Sequence, residues 1–257
     1  MKFLKLLIIL IACSDVENKK ISVSIYPIKL LLNDIGVDSD VIIDKPVDIH
    51  SFEPSARKVL QVQNSCAFIY INDNFEVWAK KIKSKHKINL LEDEQKNPHS
   101  WTDPKFILES IKKIENALSL CNINYQKEKV EKLYRSLKEI DSINEVRSRN
   151  IKSGFILLHT SLEPFLKSYN LKIEAILIKE GQRDILPSDL EAAFNSKHKI
   201  LVAESYYDEQ MIKFFIKNNF KIISIDPLGI NFKNYTEFIK SISDSILLNK
   251  YVSRENL

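Results

Sequence analysis

The stretch NYQKEKVEKLYRSLKEIDSINEVRSRN, residues 124–150, contains neither glycine nor proline. Apolar side chains recur along it at helical spacing with charged residues between them, at Val130, Leu133, Tyr134, Leu137, Ile140 and Ile143. This pattern predicts one helix of about 25 residues, roughly 38 Å long at 1.5 Å per residue. A helix of that length would act as a rigid strut between the parts of the chain on either side of it.

Strand-like and helix-like patterns alternate on both sides of this helix. Short runs rich in β-branched residues predict strands over 20–27, 40–44, 66–72 and 87–92, and again over 155–159, 172–178, 199–204 and 220–226. Helical patterns lie between them, over 28–36, 55–64, 75–84, 161–169, 188–196, 207–219 and 234–249. We therefore expect an α/β fold of two β/α lobes, with mostly parallel four-stranded sheets joined by a long rigid helix.

The N-terminus has the pattern of a secretory signal. Two lysines precede a short apolar run that ends at Cys13, and this run is too short to span a bilayer. The tetrapeptide Leu10-Ile11-Ala12-Cys13 resembles the lipobox of bacterial lipoproteins, in which the cysteine is lipid-modified. A plain signal peptide with an incidental cysteine is the alternative. The expected division of the chain is a signal peptide over 1–12, a lipid-anchored tether over 13–19, an N-terminal lobe over 20–115, a linking backbone helix over 116–150 and a C-terminal lobe over 151–257.

The composition indicates a globular protein and argues against nucleotide-binding glycine loops and nucleic-acid binding. The 257 residues are 44% hydrophobic and 28% charged, as in a packed globular protein. Glycine is scarce, and neither GxGxxG nor GxxxxGK[ST] occurs. The net charge of +4 is spread along the chain, so we expect no nucleic-acid partner. Cys66 and Cys121 are expected to be small buried apolar residues, with a disulfide possible but unsupported by the sequence.

The segment NPHSWTDP, residues 97–104, is unusually constrained. Pro98 and Pro104 restrict the backbone on either side of His99. Asp103 and Pro104 suit the N-cap and the first position of a following helix. Trp101 is expected to pack as an anchor. The segment therefore predicts an imidazole that is already oriented before any ligand binds.

Three of the five histidines and one aspartate lie at the carboxyl ends of predicted strands or soon after them, where open α/β sheets bind ligands. They are His50, His99, His159 and Asp226. His86 and His198 instead precede strands, so we expect them at the opposite end of the sheets as solvated surface residues. Three imidazoles and one carboxylate would complete a zinc coordination shell. The alternative is that the four are unrelated polar residues on loops, and spacing alone does not decide between these interpretations.

Several motifs of the chain, in order, resemble those of the metal-binding lipoproteins of bacterial zinc and manganese ABC importers, the cluster A-I solute-binding proteins. DIHSFEPSARKVLQVQNSCAFIYINDNFEVW resembles the family's D-P-H-x-[YF]-E-P-S segment with its downstream E-x-W, and NPHSWTDP resembles D-P-H-x-W-[LT]-D-P. LLHTSLEPFLKSYNL, EGQRDILPSDL and IDPLG resemble further family segments. The resemblance covers about residues 20–245. It implies that His50, His99, His159 and Asp226 are the metal ligands.

The chain also departs from the family pattern. Ile49 precedes His50, where the family usually has Asp or Gly before its first PH. The histidine-rich loop of many zinc-specific members is missing, since His86 is the single histidine between residues 51 and 98. Zinc is the expected cargo and manganese the alternative. Glu204 ends the strand KILVAE, and we expect it to lie outside the ligand shell or to pair with a nearby cation.

The resemblance implies a lipid-anchored receptor in the cell envelope, periplasmic or at the cell surface, which delivers a divalent metal to the membrane permease of an ABC importer. We expect a monomer without enzymatic activity. A zinc hydrolase would need an open coordination position and a general base, and the sequence has no HExxH. A surface adhesin is a third interpretation of the same fold.

Overall fold

Two parallel sheets of four strands each form the frame of the molecule. The structure, a computed structural model, describes residues 20–45, 47, 49–93, 96–182 and 184–252. The predicted signal peptide, Cys13 and the tether lie outside the described residues. The strands are β1 Ile21–Ile25, β2 Asp40–Ile43, β3 Ala67–Tyr70, β4 His86–Asn89, β5 Phe155–His159, β6 Ile173–Ile178, β7 Ile200–Glu204 and β8 Lys221–Ile225.

The two sheets have the same strand order. The first runs β2-β1-β3-β4 and the second β6-β5-β7-β8, and all neighbouring strands pair in parallel. Each central pair is buried on both faces, and β3, β5 and β7 are accordingly almost continuously apolar, whereas β1 has the buried serines Ser22 and Ser24 in alternation with apolar residues. The predicted α/β fold with two parallel four-stranded sheets is confirmed.

Helices connect the strands, and one of them spans the middle of the chain. They are α1 Tyr26–Asp34, α2 Ala56–Gln63, α3 Val77–Lys81, α4 Pro104–Leu120, α5 Lys127–Ser148, α6 Glu163–Ser168, α7 Pro187–Asn195, α8 Glu209–Lys217 and α9 Tyr235–Leu247. The central helix α5 has 22 residues, about 33 Å, and is shorter than predicted because the chain still turns over 121–126, where Asn122 has a positive φ of 49°. None of the helices in the described ranges is both long and apolar enough to cross a membrane.

A single large core joins the two halves of the chain. The C-terminal helix α9 packs against α1 of the first half and against α5. Its Tyr235 and Phe238 are fully buried in the same cluster as Val23 and Ile28. A smaller cluster lies on the other face of the second sheet and includes Ile156, Leu201 and Phe215. The shared core makes independent movement of the two sheets costly.

The predicted start of α4 is confirmed, and the helix predicted over 188–196 starts one residue earlier than expected. Asp103 caps α4, with its carboxylate accepting the Lys105 N–H at 3.0 Å, and Pro104 is the first helical residue. Helix α7 begins one residue earlier, at Pro187, because proline has the backbone angle that a first helical position needs. Ser188 is therefore already inside the helix.

Cys66 and Cys121 are buried as expected, and the disulfide that the sequence left possible without supporting it is present. Their Cα atoms are 5.8 Å apart. Helix α4 packs along β3, so the residue after the helix returns to the residue before the strand. A sequence separation of 55 residues gives no sign of this proximity.

Removal of this disulfide, through Cys66→Ala with Cys121→Ala, should lower the free energy of unfolding by about 4 kcal/mol. The cross-link closes a loop of 55 residues. The loss of conformational entropy that such a loop imposes on the unfolded chain corresponds to about 4 kcal/mol. Urea unfolding measures the change, and the reduced wild-type protein is the control. Equal urea midpoints for oxidised and reduced wild-type protein would contradict the assignment.

Candidate metal centre

A cavity of about 630 Å³ opens at the carboxyl ends of both sheets. Its lining comes from the ends of β5 and β6 and from the segments that follow β2, β4, β7 and β8. His99 and Trp101 enter it from the first half of the chain, and His159 and Leu228 from the second. This is the edge at which parallel sheets bind ligands.

His99 is held in a fixed orientation by the residue two positions before it. It lies in the 3₁₀ turn Pro98–Thr102 and is 3% exposed. The side-chain oxygen of Asn97 accepts the backbone N–H of His99 at 2.9 Å and lies 2.9 Å from its Nδ1. Because an amide oxygen only accepts, neutral His99 in this contact carries its proton on Nδ1 and its lone pair on Nε2. Such a partner fixes the ring and tautomer of a metal-binding histidine.

Asn97 also ties the two histidine-bearing segments together. Its Nδ2 donates to the Thr160 carbonyl oxygen at 3.0 Å and to Glu163 Oε2 at 2.8 Å. Thr160 directly follows His159 in the chain. The hydroxyl of Thr102 adds a second link, because it donates to the Ser161 carbonyl oxygen at 3.1 Å. These contacts set the distance between the turn of His99 and the end of β5.

His159 ends β5 and faces a buried carboxylate. It is 7% exposed, and its ring centroid lies 5.1 Å from that of His99. Its Nδ1 is 3.6 Å from Oε1 of Glu204, which ends β7 and accepts a hydrogen bond from the Ser161 hydroxyl. Glu204 is 3% exposed, and its Oε2 has no hydrogen-bond partner among the described residues. A buried carboxylate of this kind needs a nearby cation, so it suits a position beside a metal-bound imidazole.

Sequence reasoning missed one residue of the site, Glu180. One ring nitrogen each from His99 and His159 and one Glu180 oxygen lie within 4.8 Å of one another. Glu180 Oε2 is 3.8 Å from His99 Nδ1 and accepts the Thr160 hydroxyl at 3.1 Å. Two imidazoles and one carboxylate are donors that Zn²⁺ accepts. The rule used for the histidines would have found Glu180, which comes two residues after β6.

The other two predicted ligands lie close to the cavity but outside this group. His50 is in the turn Ile49–Ser51, whose first and last residues line the cavity, and its side chain is outside the described part of the structure. Asp226 follows β8, and the next two residues line the cavity. Its carboxylate accepts backbone N–H groups of the turn that it begins. The ligand roles of His50 and Asp226 stay predictions.

Aromatic side chains surround His99. Trp101 is 1% exposed, and its indole N–H donates to the Pro227 carbonyl oxygen at 2.8 Å. The ring of Phe75 packs edge-on against His99, with centroids 5.3 Å apart. The loop of Phe75 is held by Glu76, whose buried carboxylate accepts the Ile71 N–H at 2.7 Å. Burial raises the pKa of Glu76 to about 7. These groups leave His99 little room to turn.

The histidines that precede strands lie at the other end of the sheets, as predicted. His86 is the first residue of β4 and is half-buried. His198 is also half-buried, with its Nδ1 3.2 Å from Glu174 Oε1 and 3.1 Å from the Gly154 nitrogen, so the expectation of a fully solvated side chain is wrong for both histidines. Because neither side chain reaches the cavity lining, both residues serve as controls for the site.

Comparison with known proteins places the chain in a family. Residues 21–247 match the family model described as zinc-uptake complex component A periplasmic. The chain belongs to this family. The match confirms the resemblance to the cluster A-I solute-binding proteins of metal ABC importers.

Individual relatives are distant from the chain. It is 25% identical over 250 residues to the uncharacterized protein RP014 of Rickettsia prowazekii, a match that covers 89% of this chain and 81% of that protein. It is 22% identical to the zinc-binding lipoprotein AdcA of Streptococcus pneumoniae, with 65% of this chain and 41% of AdcA covered. The crystal structure of AdcAII from the same species shares the fold, with a TM-score of 0.76 at 21% identity over 89% of this chain and 98% of AdcAII.

Replacement of Asn97 by alanine should weaken zinc binding by about 10- to 100-fold, the usual effect of losing a partner that orients a metal-binding histidine. Competition titration with a chelator at fixed pH measures this change. His86→Ala is the control, since His86 lies outside the cavity lining, and it should retain wild-type affinity. Wild-type affinity in Asn97→Ala would show that His99 does not depend on Asn97.

Proposed function

We propose that this protein captures Zn²⁺ in the cavity between its two sheets and delivers it to the membrane permease of an ABC importer. The observation that carries the proposal is the group of His99, His159 and Glu180, whose ligand atoms lie within 4.8 Å of one another at the carboxyl ends of the strands. His50 and Asp226, on neighbouring segments, are the further ligands that the family resemblance implies. The name of the matching family, zinc-uptake complex component A, supports zinc as the cargo.

The protein acts by binding and release, without a chemical step. Family membership supports this role, since the family is a component of uptake complexes. A shell filled by His50, His99, His159 and a carboxylate would have no position for an activated water, which a zinc hydrolase needs. The nitrogen-rich ligands favour zinc over manganese, which prefers more oxygen.

Hydrogen bonds between the two halves favour release through local changes. Trp101 donates to Pro227, and the Tyr235 hydroxyl donates to the Trp101 carbonyl oxygen at 2.6 Å. Asp34 accepts the backbone N–H of Tyr235 at 2.9 Å and of Thr236 at 3.1 Å. A wide hinge motion would break all of these contacts together. We infer that metal release requires movement of the ligand-bearing turns while the two sheets stay in place.

Zinc should raise the melting temperature of the metal-depleted protein. At a thousandfold excess over Kd the folded state gains about 4 kcal/mol, which corresponds to a shift of roughly 8–16 °C for a chain of this size. His99→Ala should abolish most of the shift, and His86→Ala and His198→Ala should keep it. Thermal unfolding with and without zinc at one pH gives the comparison. Equal shifts in all three variants would rule out the proposed site.

The lipid anchor has a separate test. If Cys13 is acylated, Cys13→Ser should move the protein from the membrane fraction to the soluble fraction and leave zinc binding unchanged. Stable anchoring needs about two acyl chains, so their loss should be clear on fractionation. Membrane association that persists in Cys13→Ser would favour a plain signal peptide and a different mode of attachment.

A further inference from the structure

We propose that Glu76 positions His99 for the metal and couples zinc binding to the release of a proton. This inference rests on the proposed function and concerns the regulation of the same site. Glu76 is the acidic residue of the E-x-W motif and lies between Phe75, which packs against His99, and the first residue of α3, Val77. Its carboxyl group acts on His99 through the loop 71–76.

The Glu76 carboxyl group is buried beside the end of β3, and the residue is 0% exposed. Its Oε2 accepts the backbone N–H of Ile71 at 2.7 Å and that of Asn72 at 3.1 Å. Its Oε1 is buried and has no hydrogen-bond partner among the described residues. The group can therefore hold a proton on Oε1 while Oε2 keeps both backbone hydrogen bonds. One frame of contacts thus accommodates two charge states.

A continuous set of contacts connects this carboxyl group to His99. Asn72, whose N–H bonds to Glu76, accepts the Phe75 N–H with its side-chain oxygen at 2.8 Å. The Glu76 N–H donates back to the Asn72 carbonyl oxygen at 3.0 Å, so the loop is closed on itself. The ring of Phe75 lies 5.3 Å from the ring of His99 and 5.6 Å from that of Trp101, measured between centroids. The hydrogen bonds of Glu76 therefore determine where Phe75 meets the imidazole.

The groups around Glu76 make it change charge near neutral pH. Burial is the main cause that raises the pKa of Glu76 to about 7, and the charge of Asp73 on the same loop adds to the rise. The Ser24 hydroxyl of β1 and the two backbone N–H groups oppose it. Tyr70 of β3 is the other titratable group that faces Glu76, and its hydroxyl donates to Asp73 at 3.0 Å. An ionised carboxylate accepts stronger hydrogen bonds, so the loop is held most firmly when Glu76 is charged.

A zinc ion at His99 favours the ionised form of Glu76, because it places positive charge on the other side of Phe75. Binding therefore lowers the pKa of Glu76 and releases a proton, and by reciprocity the ionised carboxylate raises the affinity for zinc. This gain appears as the pH rises through about 7 and adds to the gain from deprotonated imidazoles. A pKa shift of half a unit to one unit corresponds to roughly three- to tenfold in affinity.

Chelator competition with Zn²⁺ between about pH 5.5 and 8.5, on both sides of the Glu76 pKa, tests the coupling. Glu76→Gln keeps the shape of the side chain and fixes it in an uncharged state. The ratio of its Kd to the wild-type Kd should rise from about 1 at the acidic end to roughly 3–10 at the basic end. A purely structural role would give a ratio that does not depend on pH. Glu92→Gln is the matched control, because it makes the same change on a side chain that is 79% exposed, and its ratio should stay near 1 throughout.

Carbon-13 NMR of the glutamate carboxyl carbons gives a second readout, which the wild-type protein provides even where Glu76→Gln does not fold. In the metal-depleted protein one glutamate should titrate near pH 7, and in the zinc-loaded protein the same resonance should titrate at lower pH. A ratio of affinities that is constant with pH, or a glutamate pKa that zinc leaves unchanged, would overturn the coupling and leave the proposed function standing. A wild-type protein that binds no zinc at any pH would instead overturn the proposed function.

Discussion

The buried hydrogen bond between the Trp101 indole and the Pro227 carbonyl oxygen fixes the two halves of the molecule against each other at the cavity. Trp101 comes two residues after His99, and Pro227 follows Asp226, so one contact sets the separation of two predicted ligand segments. Tyr235 extends the link by donating to the Trp101 carbonyl oxygen. Breaking a buried hydrogen bond leaves a polar group without a partner, which costs about 1–3 kcal/mol. The architecture of two sheets therefore has the stiffness of a single body near the site.

This rigidity limits which segments can move when a metal binds or leaves. Wide opening would cost the free energy of the shared core and of the hydrogen bonds between the two halves. Here the proposed ligands lie on short turns at the ends of strands, and our proposal requires only these turns to move while the sheets stay in place. Asn97 restrains the turn of His99, since it bonds to His99 and to Thr160 and Glu163 of the segment that follows β5. The turn of Glu180 is more exposed. Binding and release are expected to differ mainly in the exposed turns.

The sequence predicted most of the strands and helices, because the hydrophobic periodicity of each element lies within its own residues. One topological rule, that parallel strands end at the same edge of a sheet, predicted that His99 and His159 lie together, as they do. The features that were not predicted depend on residues that are distant in sequence and close together in the fold. The pairing of Cys66 with Cys121 requires α4 to fold back along β3, and no local pattern records that. Glu180 follows β6 by two residues, so the strand-end rule includes it, but several other acidic residues also end or follow strands, and only the fold shows which of them lies near a histidine.

The balance of charge in the cavity gives a physical reason for the choice of metal. Glu204 lies beside His159, and Asp226 is held by backbone N–H groups, so few oxygen atoms remain to enter a coordination shell. Manganese prefers about six oxygen-rich ligands, whereas zinc is satisfied by four that are mostly imidazole nitrogen. A divalent ion with neutral imidazoles and one carboxylate retains a charge of about +1, and the buried Glu204 carboxylate is placed to balance it. The buried charges therefore suit a small divalent ion that is bound mainly by nitrogen. Zinc accepts such ligands better than manganese does.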